Sequence, residues 1–448
     1  MSNVFANRTF RYLFASQLMS LLGTGLMTVA LALLAYEIGG AAQAGLVLSG
    51  VFTIKMIAYV GFAPFANALV HRVPVRPLLV ALDLARLTLA LLLPLTDAIW
   101  QVYLLMFLFQ MCSAAFTPAY QSTIPDVLAD EAQYARALSL SRAASNLETM
   151  LSPALAGLLL LLVAPPALFL GTGLAFALSA AALVSARLPA RGTAAEAEPF
   201  RRRLAKGYTI YLHTVRLRGL LAVNFAMSLT MAWVLVNSVA YAGLRFEGDA
   251  AAYTDLMAAF GAGSIAAAFA VPRLLRHFSE RRLMLAGAAS MGGLAFTILS
   301  EPDFAGLLAL WAGLGAASSL VLTPGSLLLV RSSGRADRPA LFAAQFSLSH
   351  AAWLIAYPLS GWIGSELGLA TALVTLGAAT LAITAATARL WPAHDPAELS
   401  HMHTGLSPSH PHIRSGAFRA VDGAPAIVHS HSFHIDDLHP RWPSPERP

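Results

Sequence analysis

A single cysteine, Cys112, stands in 448 residues, so no intrachain disulfide framework can brace the chain. Charge is scarce too: Asp, Glu, Lys and Arg make up 12% of the sequence against 57% hydrophobic residues, and mean hydropathy is +0.65. That balance excludes a water-soluble globular class. The sequence also lacks HExxH, GxSxG and GxxxxGKS/T, the carriers of metalloprotease, serine-hydrolase and nucleotide-pump chemistry, so it is not expected to be an enzyme or to hold a resident cofactor. A net charge of +6 raises nucleic acid as a partner. The basic residues are scattered, however, with no aromatic-studded soluble face, and no nucleic-acid binding is expected.

What the sequence does contain is apolar length. Twelve runs, near residues 12–36, 43–70, 77–95, 99–118, 138–163, 167–186, 219–244, 253–275, 283–300, 304–330, 341–364 and 367–390, are each about long enough, at roughly 20 residues, to cross a hydrocarbon core as a helix. Lipid offers the backbone no hydrogen-bond partners, so only helices or closed barrels can cross it, and runs this continuous are not the alternating strands of a barrel. The first run is too long for a signal-peptide core and no small-residue cleavage site follows it, so it is expected to stay in the mature protein. Of 29 Lys and Arg residues, only Arg245 falls in a loop that odd-to-even helix gaps place outside. Positive residues stay cytoplasmic, which predicts a multi-pass protein of the cell (inner) membrane with both termini inside.

The widest polar interruption before the C-terminus, Arg187 to Arg218, falls after the sixth run. It divides the chain into an N-terminal six-helix bundle (1–186), a cytoplasmic connector (187–218) that includes a candidate amphipathic helix, and a C-terminal six-helix bundle (219–390). The halves echo each other: His71 and Arg76 answer His277 and Arg282, and Thr117-Pro118 answers Thr323-Pro324, all at one offset of 206 residues (277 − 71). The fold class is therefore an all-α membrane protein, twelve transmembrane helices in two six-helix bundles. Such duplication implies a transporter that rocks around a central site. Residues 391–448 are rich in Pro, Ser and Gly and hold nine of the thirteen histidines; this tail is expected to be mostly disordered.

A charge at the middle of a membrane helix costs at least roughly 2.5–3.5 kcal/mol, so each one retained asks for a partner or a task. At about 100° per residue, Ser141, Ser145, Glu148 and Ser152 form one polar stripe on the fifth helix. Glu148 is the candidate proton-coupling group, with Ser145 and Ser152 beside it in the cavity; the alternative is a structural interhelical hydrogen bond. Lys55 lies in the second helix and either pairs with Glu148 across a cavity or forms a structural ion pair. Asp83 and Arg86, one turn apart in the third helix, suit a structural pair or a part in inner-gate closure. His350 shares a helical side with Trp353 and Tyr357, either as substrate contact or as packing. Asn224 and Asn237 supply neutral polarity within the seventh helix. Pro153 with Gly157, and Pro358 with Gly361, are places where helices five and eleven can flex.

These features together resemble the major facilitator superfamily, and within it the drug:proton antiporter branch that includes macrolide and siderophore exporters. The likeness covers roughly residues 7–390. In the loop ANALVHRVPVRP (Ala66 to Pro77), Arg72 and Arg76 match the superfamily's gating-loop motif, while Asn67, His71 and Pro74 replace its first glycine, its Asp and its second glycine. The segment SPALAG (Ser152 to Gly157) is similar to the exporter signature of helix five, and FTPAYQSTIPDVLADEAQYARALSLSR (Phe116 to Arg142) to the helix-four exit of the exporter branch. The resemblance implies proton-coupled efflux of a small organic or drug-like molecule by a monomer in the lipid bilayer, across a cavity that includes Trp233, Trp353 and Tyr357.

The tail leaves a second cargo open. His401, His403, His410, His412, His429, His431 and His434 are closely spaced imidazoles, which suit nickel, copper and zinc, and nickel-resistance exporters of the same superfamily are similar in ending with histidine-rich tails. A divalent-metal (nickel or cobalt) exporter whose tail loosely collects metal is the alternative reading. Whichever cargo crosses, surface labelling is expected to reach the Arg187 to Arg218 segment only in permeabilised cells; labelling in intact cells overturns the topology.

Overall fold

The computed structural model describes residues 4–62, 74–121, 123–128, 163–186, 188, 200–246, 250–333, 337–393, 399–404, 417–420 and 426–431, with isolated positions within 133–159 and 433–442. Eleven helices among the described residues are long and apolar enough to cross a membrane. They are α1 (Arg8–Gly40), α2 (Gln43–Val60), α3 (Val75–Leu92), α4 (Ile99–Gln121), α5 (Ala167–Ser185), α7 (Val215–Arg245), α8 (Ala250–Leu274), α9 (Glu280–Ala295), α10 (Phe304–Arg331), α11 (Arg338–Leu367) and α12 (Leu369–Leu390). The connector helix is α6 (Phe200–His213). Helix α5 is the sixth apolar run; the fifth, with Ser145, Glu148, Ser152, Pro153 and Gly157, lies outside the described residues, as does Arg72.

Local chemistry sets the helix ends. The Asn7 side chain accepts from the Phe10 amide at 3.1 Å, Ser279 from Arg282 at 3.4 Å and Asp303 from Gly306 at 2.9 Å, each satisfying an amide that the first helical turn leaves without a partner. Between α1 and α2 the chain turns at Gly40, with φ at 63°. That is left-handed backbone, which only glycine adopts without strain. The second span, expected to run to residue 70, loses its α-helical pattern earlier, in a π-helical turn over Ala58–Phe62.

Each half packs through one polar or small-residue side and presents Leu to lipid. On α5, Leu170, Leu174 and Leu178 form an exposed stripe four residues apart, whereas Thr172, Phe176 and Ser179 are buried. In the first half α1 packs on α5, and α3 on α4 and α5; in the second, α8 lies along α10, α9 along α10 and α12, and α7 along α11 and α12. Helices α8 and α10 approach backbone to backbone, since a Cβ on Gly263 would strike the Ala312 carbonyl and one on Gly315 the Phe260 carbonyl. Without hydrophobic pressure between helices in lipid, such close approach is what holds them together.

The connector is pinned to α11. Tyr208 donates to Ser347 at 2.6 Å, Tyr211 donates to Gln345, Lys206 pairs with Asp337 at 2.6 Å, and Gly207 lies against the Ala340 carbonyl. Burial raises the Tyr211 phenol above its ordinary pKa, by penalising the phenolate.

Within the tail, expected to be mostly disordered, the described residues include short strands. Three antiparallel strands, β1 (Leu399–Thr404), β2 (Ala417–Ala420) and β3 (Ala426–His431), form a sheet in the order β1-β3-β2. The missed signal is short: β3 opens Ala-Ile-Val, and Phe433, Ile435 and Trp442 follow as isolated apolar residues. Phe433 and Ile435 are buried in the same hydrophobic cluster as the C-terminal helices. Trp442 lies over Arg216 at the start of α7, ring centroid to guanidinium carbon 4.7 Å, a cation–π contact. The α12 end is closed by Arg281, which donates to the Trp391 carbonyl at 2.8 Å and the Ala388 carbonyl at 2.6 Å, as cations near helix C-termini do.

Filling the α8–α10 contact tests this packing. Gly315→Leu is expected to cost about 1–3 kcal/mol through overpacking, read as a lower unfolding temperature in detergent. Gly293→Ala, where a Cβ meets nothing within 4 Å, is expected not to lower it.

Candidate transport site between the two halves

Helices α2 and α11 run antiparallel along the seam between the halves. Near one end Asn237 of α7 occupies the space beside both Gly45 and Gly364, and Ser49 fills the space beside Gly361. Further along, the Phe52 and Tyr357 rings stack with centroids 4.9 Å apart, and Tyr59 stacks on His350 at 5.5 Å with an interplanar angle of 11°. Trp353 stacks on Tyr357 at 5.0 Å, and Phe346 contacts His350 at 3.8 Å. An aromatic column thus fills the seam. Stacked and edge-on ring pairs contribute about 0.5–1.5 kcal/mol each beyond the area they bury.

Within that column His350 is half-buried, and its Nδ1 lies 2.7 Å from the Phe346 carbonyl. A carbonyl only accepts, so Nδ1 carries the proton and Nε2 of the neutral ring is left as an acceptor. Lys55, half-buried on α2, is close enough to interact electrostatically with His350. Asn224 is 8% exposed on α7.

Asn237 lies buried at the junction of α2, α7 and α11. Its amide donates to the Ser360 carbonyl and hydroxyl, both at 3.1 Å, while among the described residues nothing donates to its Oδ1. Gly361 lies in close approach to Ser49, and Pro358 lies inside the continuous helix α11. Trp233, expected to line a cavity, is fully buried, its Nε1 donating to the Leu369 carbonyl at 2.9 Å. Tyr36 of α1 packs against Gly243 of α7, a second contact between the halves.

A separate polar cluster lies inside the first half. Asp83 and Arg86 are buried and form a salt bridge. Ser179 donates to Asp83 at 2.6 Å, Ser16 lies 2.9 Å from Ser179, and Arg86 donates to Ser20 at 3.0 Å. The guanidinium is sandwiched by Phe116 at 4.2 Å and Phe176 at 4.5 Å. The pair was legible in the sequence; its serine partners were not singled out. Their signal is the four-residue spacing of Ser16, Ser20, Thr24 and Thr28 on α1, which places them on one face. Arg76, expected in the gating loop, donates to the Val184 carbonyl at the last turn of α5.

Residues 13–245 match the Major Facilitator Superfamily, just over half of the chain. The chain belongs to that superfamily. It is a membrane transporter of the facilitator type, a class that in general is not enzymatic, with the bilayer and a small-molecule substrate as its implied partners. Among solved structures, the nucleoside transporter NupG superposes with a TM-score of 0.68 at 10% identity, over 87% of this chain and 100% of that one. A POT family transporter in complex with 5-aminolevulinic acid gives 0.67 at 12% identity, over 86% and 96%. A bacterial homologue of the human lysosomal transporter Spinster, inward-facing and unoccupied, gives 0.62 at 12% identity, over 86% and 95%. At these identities the likeness concerns the facilitator fold. A comparison with curated proteins finds no match.

The charge pair in this facilitator has a clear energetic test. Asp83→Ala leaves a buried guanidinium without its anion and is expected to lower stability by about 3–5 kcal/mol, whereas Asp83→Leu with Arg86→Met is expected to recover most of the loss. Thermal unfolding of the detergent-solubilised variants measures both.

Proposed function

We propose that this transporter, a monomer in the cell membrane, exports a small amphipathic organic molecule from the cytoplasm in exchange for protons. The observation that supports this reading is the aromatic column of Phe52, Tyr59, Phe346, His350, Trp353 and Tyr357 at the seam of the halves, the surface that alternating access has to uncover. Flat rings with a few polar groups suit an apolar molecule carrying a polar handle. His350 Nε2 and the Asn224 amide are the available anchors. A bare divalent ion would instead need converging ligands, and among the described residues no three His, Cys, Asp or Glu side chains gather. Glu148, flanked by Ser145 and Ser152, is the proposed proton carrier, with Lys55 as its electrostatic neighbour.

Inside-out vesicles test the coupling. Uptake driven by an acid interior and lost in Glu148→Gln supports antiport; uptake indifferent to the gradient overturns it. Trp353→Ala and Tyr357→Ala are each expected to weaken binding of an aromatic cargo roughly two- to tenfold. The metal-export alternative predicts that nickel and cobalt tolerance, rather than macrolide tolerance, falls when residues 392–448 are removed.

A further inference from the structure

The helices that meet across the seam carry a single formal charge within the membrane. Residues 12–36, 43–60, 219–244 and 341–364, the spanning parts of α1, α2, α7 and α11, hold no Asp, Glu or Arg, and Lys55 is their single Lys. Its place on α2 is set by the rings around it. Phe52 stacks on Tyr357 and Tyr59 on His350, and Lys55 follows Phe52 by three residues and precedes Tyr59 by four. Positions three and four apart share a helix face, so Lys55 lies on the side of α2 that meets α11. Trp353 and Leu354 fall between His350 and Tyr357 on the facing helix, and the register of the two ring pairs sets that stretch opposite Lys55. The Lys55 side chain is half-buried, and its charge is felt at the His350 ring.

A single cation among rings has a preference of sign that ring packing alone does not have. We infer that the seam selects planar aromatic carboxylates, with the rings of Phe52, Trp353 and Tyr357 taking the flat face of the cargo and the Lys55 ammonium its carboxylate. The selectivity depends on the ring column being the cargo surface, as proposed above. A charged N–H donor makes its stronger hydrogen bonds to anionic oxygens, and away from bulk water a carboxylate gains more from that charge than a neutral amide does. A cationic cargo of the same shape meets a like charge and is rejected. An ammonium has three donors, so a contact to its own half still leaves donors for a cargo oxygen. Nε2 of His350 only accepts, in the tautomer that the Phe346 carbonyl fixes, so it suits a hydroxyl or N–H of the same cargo rather than the carboxylate. Lys55 is thereby a specificity-determining residue, whereas Glu148 keeps the proposed proton role.

Two plainer roles for Lys55 predict different outcomes. A purely structural ion pair makes Lys55 matter equally for every ligand, and an ammonium that snorkels to the headgroups makes it matter for none. Selection by charge makes it matter for one member of a matched set. A hydrogen bond between charged partners contributes more than a neutral one, by an amount that corresponds to about a tenfold change in Kd.

The test uses the full-length transporter in detergent, with equilibrium dialysis at neutral pH against protein-free micelles of the same detergent. The probes share one shape and differ in charge: naphthoate, naphthamide and naphthamidinium, each substituted at the β position. The parent chain is expected to bind the carboxylate about tenfold tighter than the amide, and the amidinium most weakly. Lys55→Gln is expected to weaken carboxylate binding about tenfold while leaving the amide within about twofold, so the amide also reports that the variant is folded. Lys55→Arg keeps the charge and is expected to keep the order of the probes. Carboxylate bound no tighter than amidinium by the parent, carboxylate and amide changed alike in Lys55→Gln, or no binding of the carboxylate overturns the proposal. Trp353→Ala separates the two readings: weaker binding of every probe leaves the ring column standing as the cargo surface even when charge selection fails, whereas probes indifferent to Trp353→Ala remove both.

Discussion

Hydrocarbon cannot hydrogen-bond, and every polar atom in the bundle is arranged around that fact. The backbone answers with helices. Side-chain hydroxyls answer by turning back on the chain: Thr24, Thr28, Thr53, Ser113, Thr117 and Thr384 each donate to the carbonyl four residues earlier. Charged groups have no such local solution. Asp83 and Arg86 are tolerable because each is the other's counter-ion and because Ser20 of α1 accepts from Arg86 while Ser179 of α5 donates to Asp83. The cluster therefore ties three helices of one half together and belongs to the body of that half rather than to the seam.

The seam is built from different material. Where α2, α7 and α11 meet, glycines allow backbone approach around Asn237; beyond it the contact is aromatic. Stacked rings and small-residue contacts dominate the seam, with Lys55 of α2 near His350. The connector enters the same arrangement, because Tyr208, Tyr211 and Lys206 join it to α11 rather than leaving it loose.

Much of this was readable from residue order, since hydrophobic length and the placement of Arg report on single helices one at a time. Positions of spans and the Asp83–Arg86 pairing belong to that class. Which side of a helix meets which neighbour does not. Asn237 and Trp233 look alike as polar or aromatic residues in an apolar run, whether they line a cavity or close a junction, and only the packing of α2 and α11 distinguishes these. Gly361 is a flexible residue in isolation and a contact surface once Ser49 is opposite it. The strands of the tail, of six, four and six residues, carry too short an alternation to stand out from Pro, Ser and Gly. The residues that dock on distant helices, Phe433, Ile435 and Trp442, follow the sheet rather than lying in it.

The antiparallel run of α2 against α11 also fixes a mechanical ratio. From Gly45 to Tyr59 is fourteen residues, or about 21 Å of helix at 1.5 Å per residue. Were the Asn237 junction to act as a pivot, a tilt of about 14° would part the Tyr59 and His350 rings by about 5 Å. A guest between those rings would then act at the far end of a long lever arm, where a modest push gives the greatest torque on the joint that the two glycines and one asparagine form.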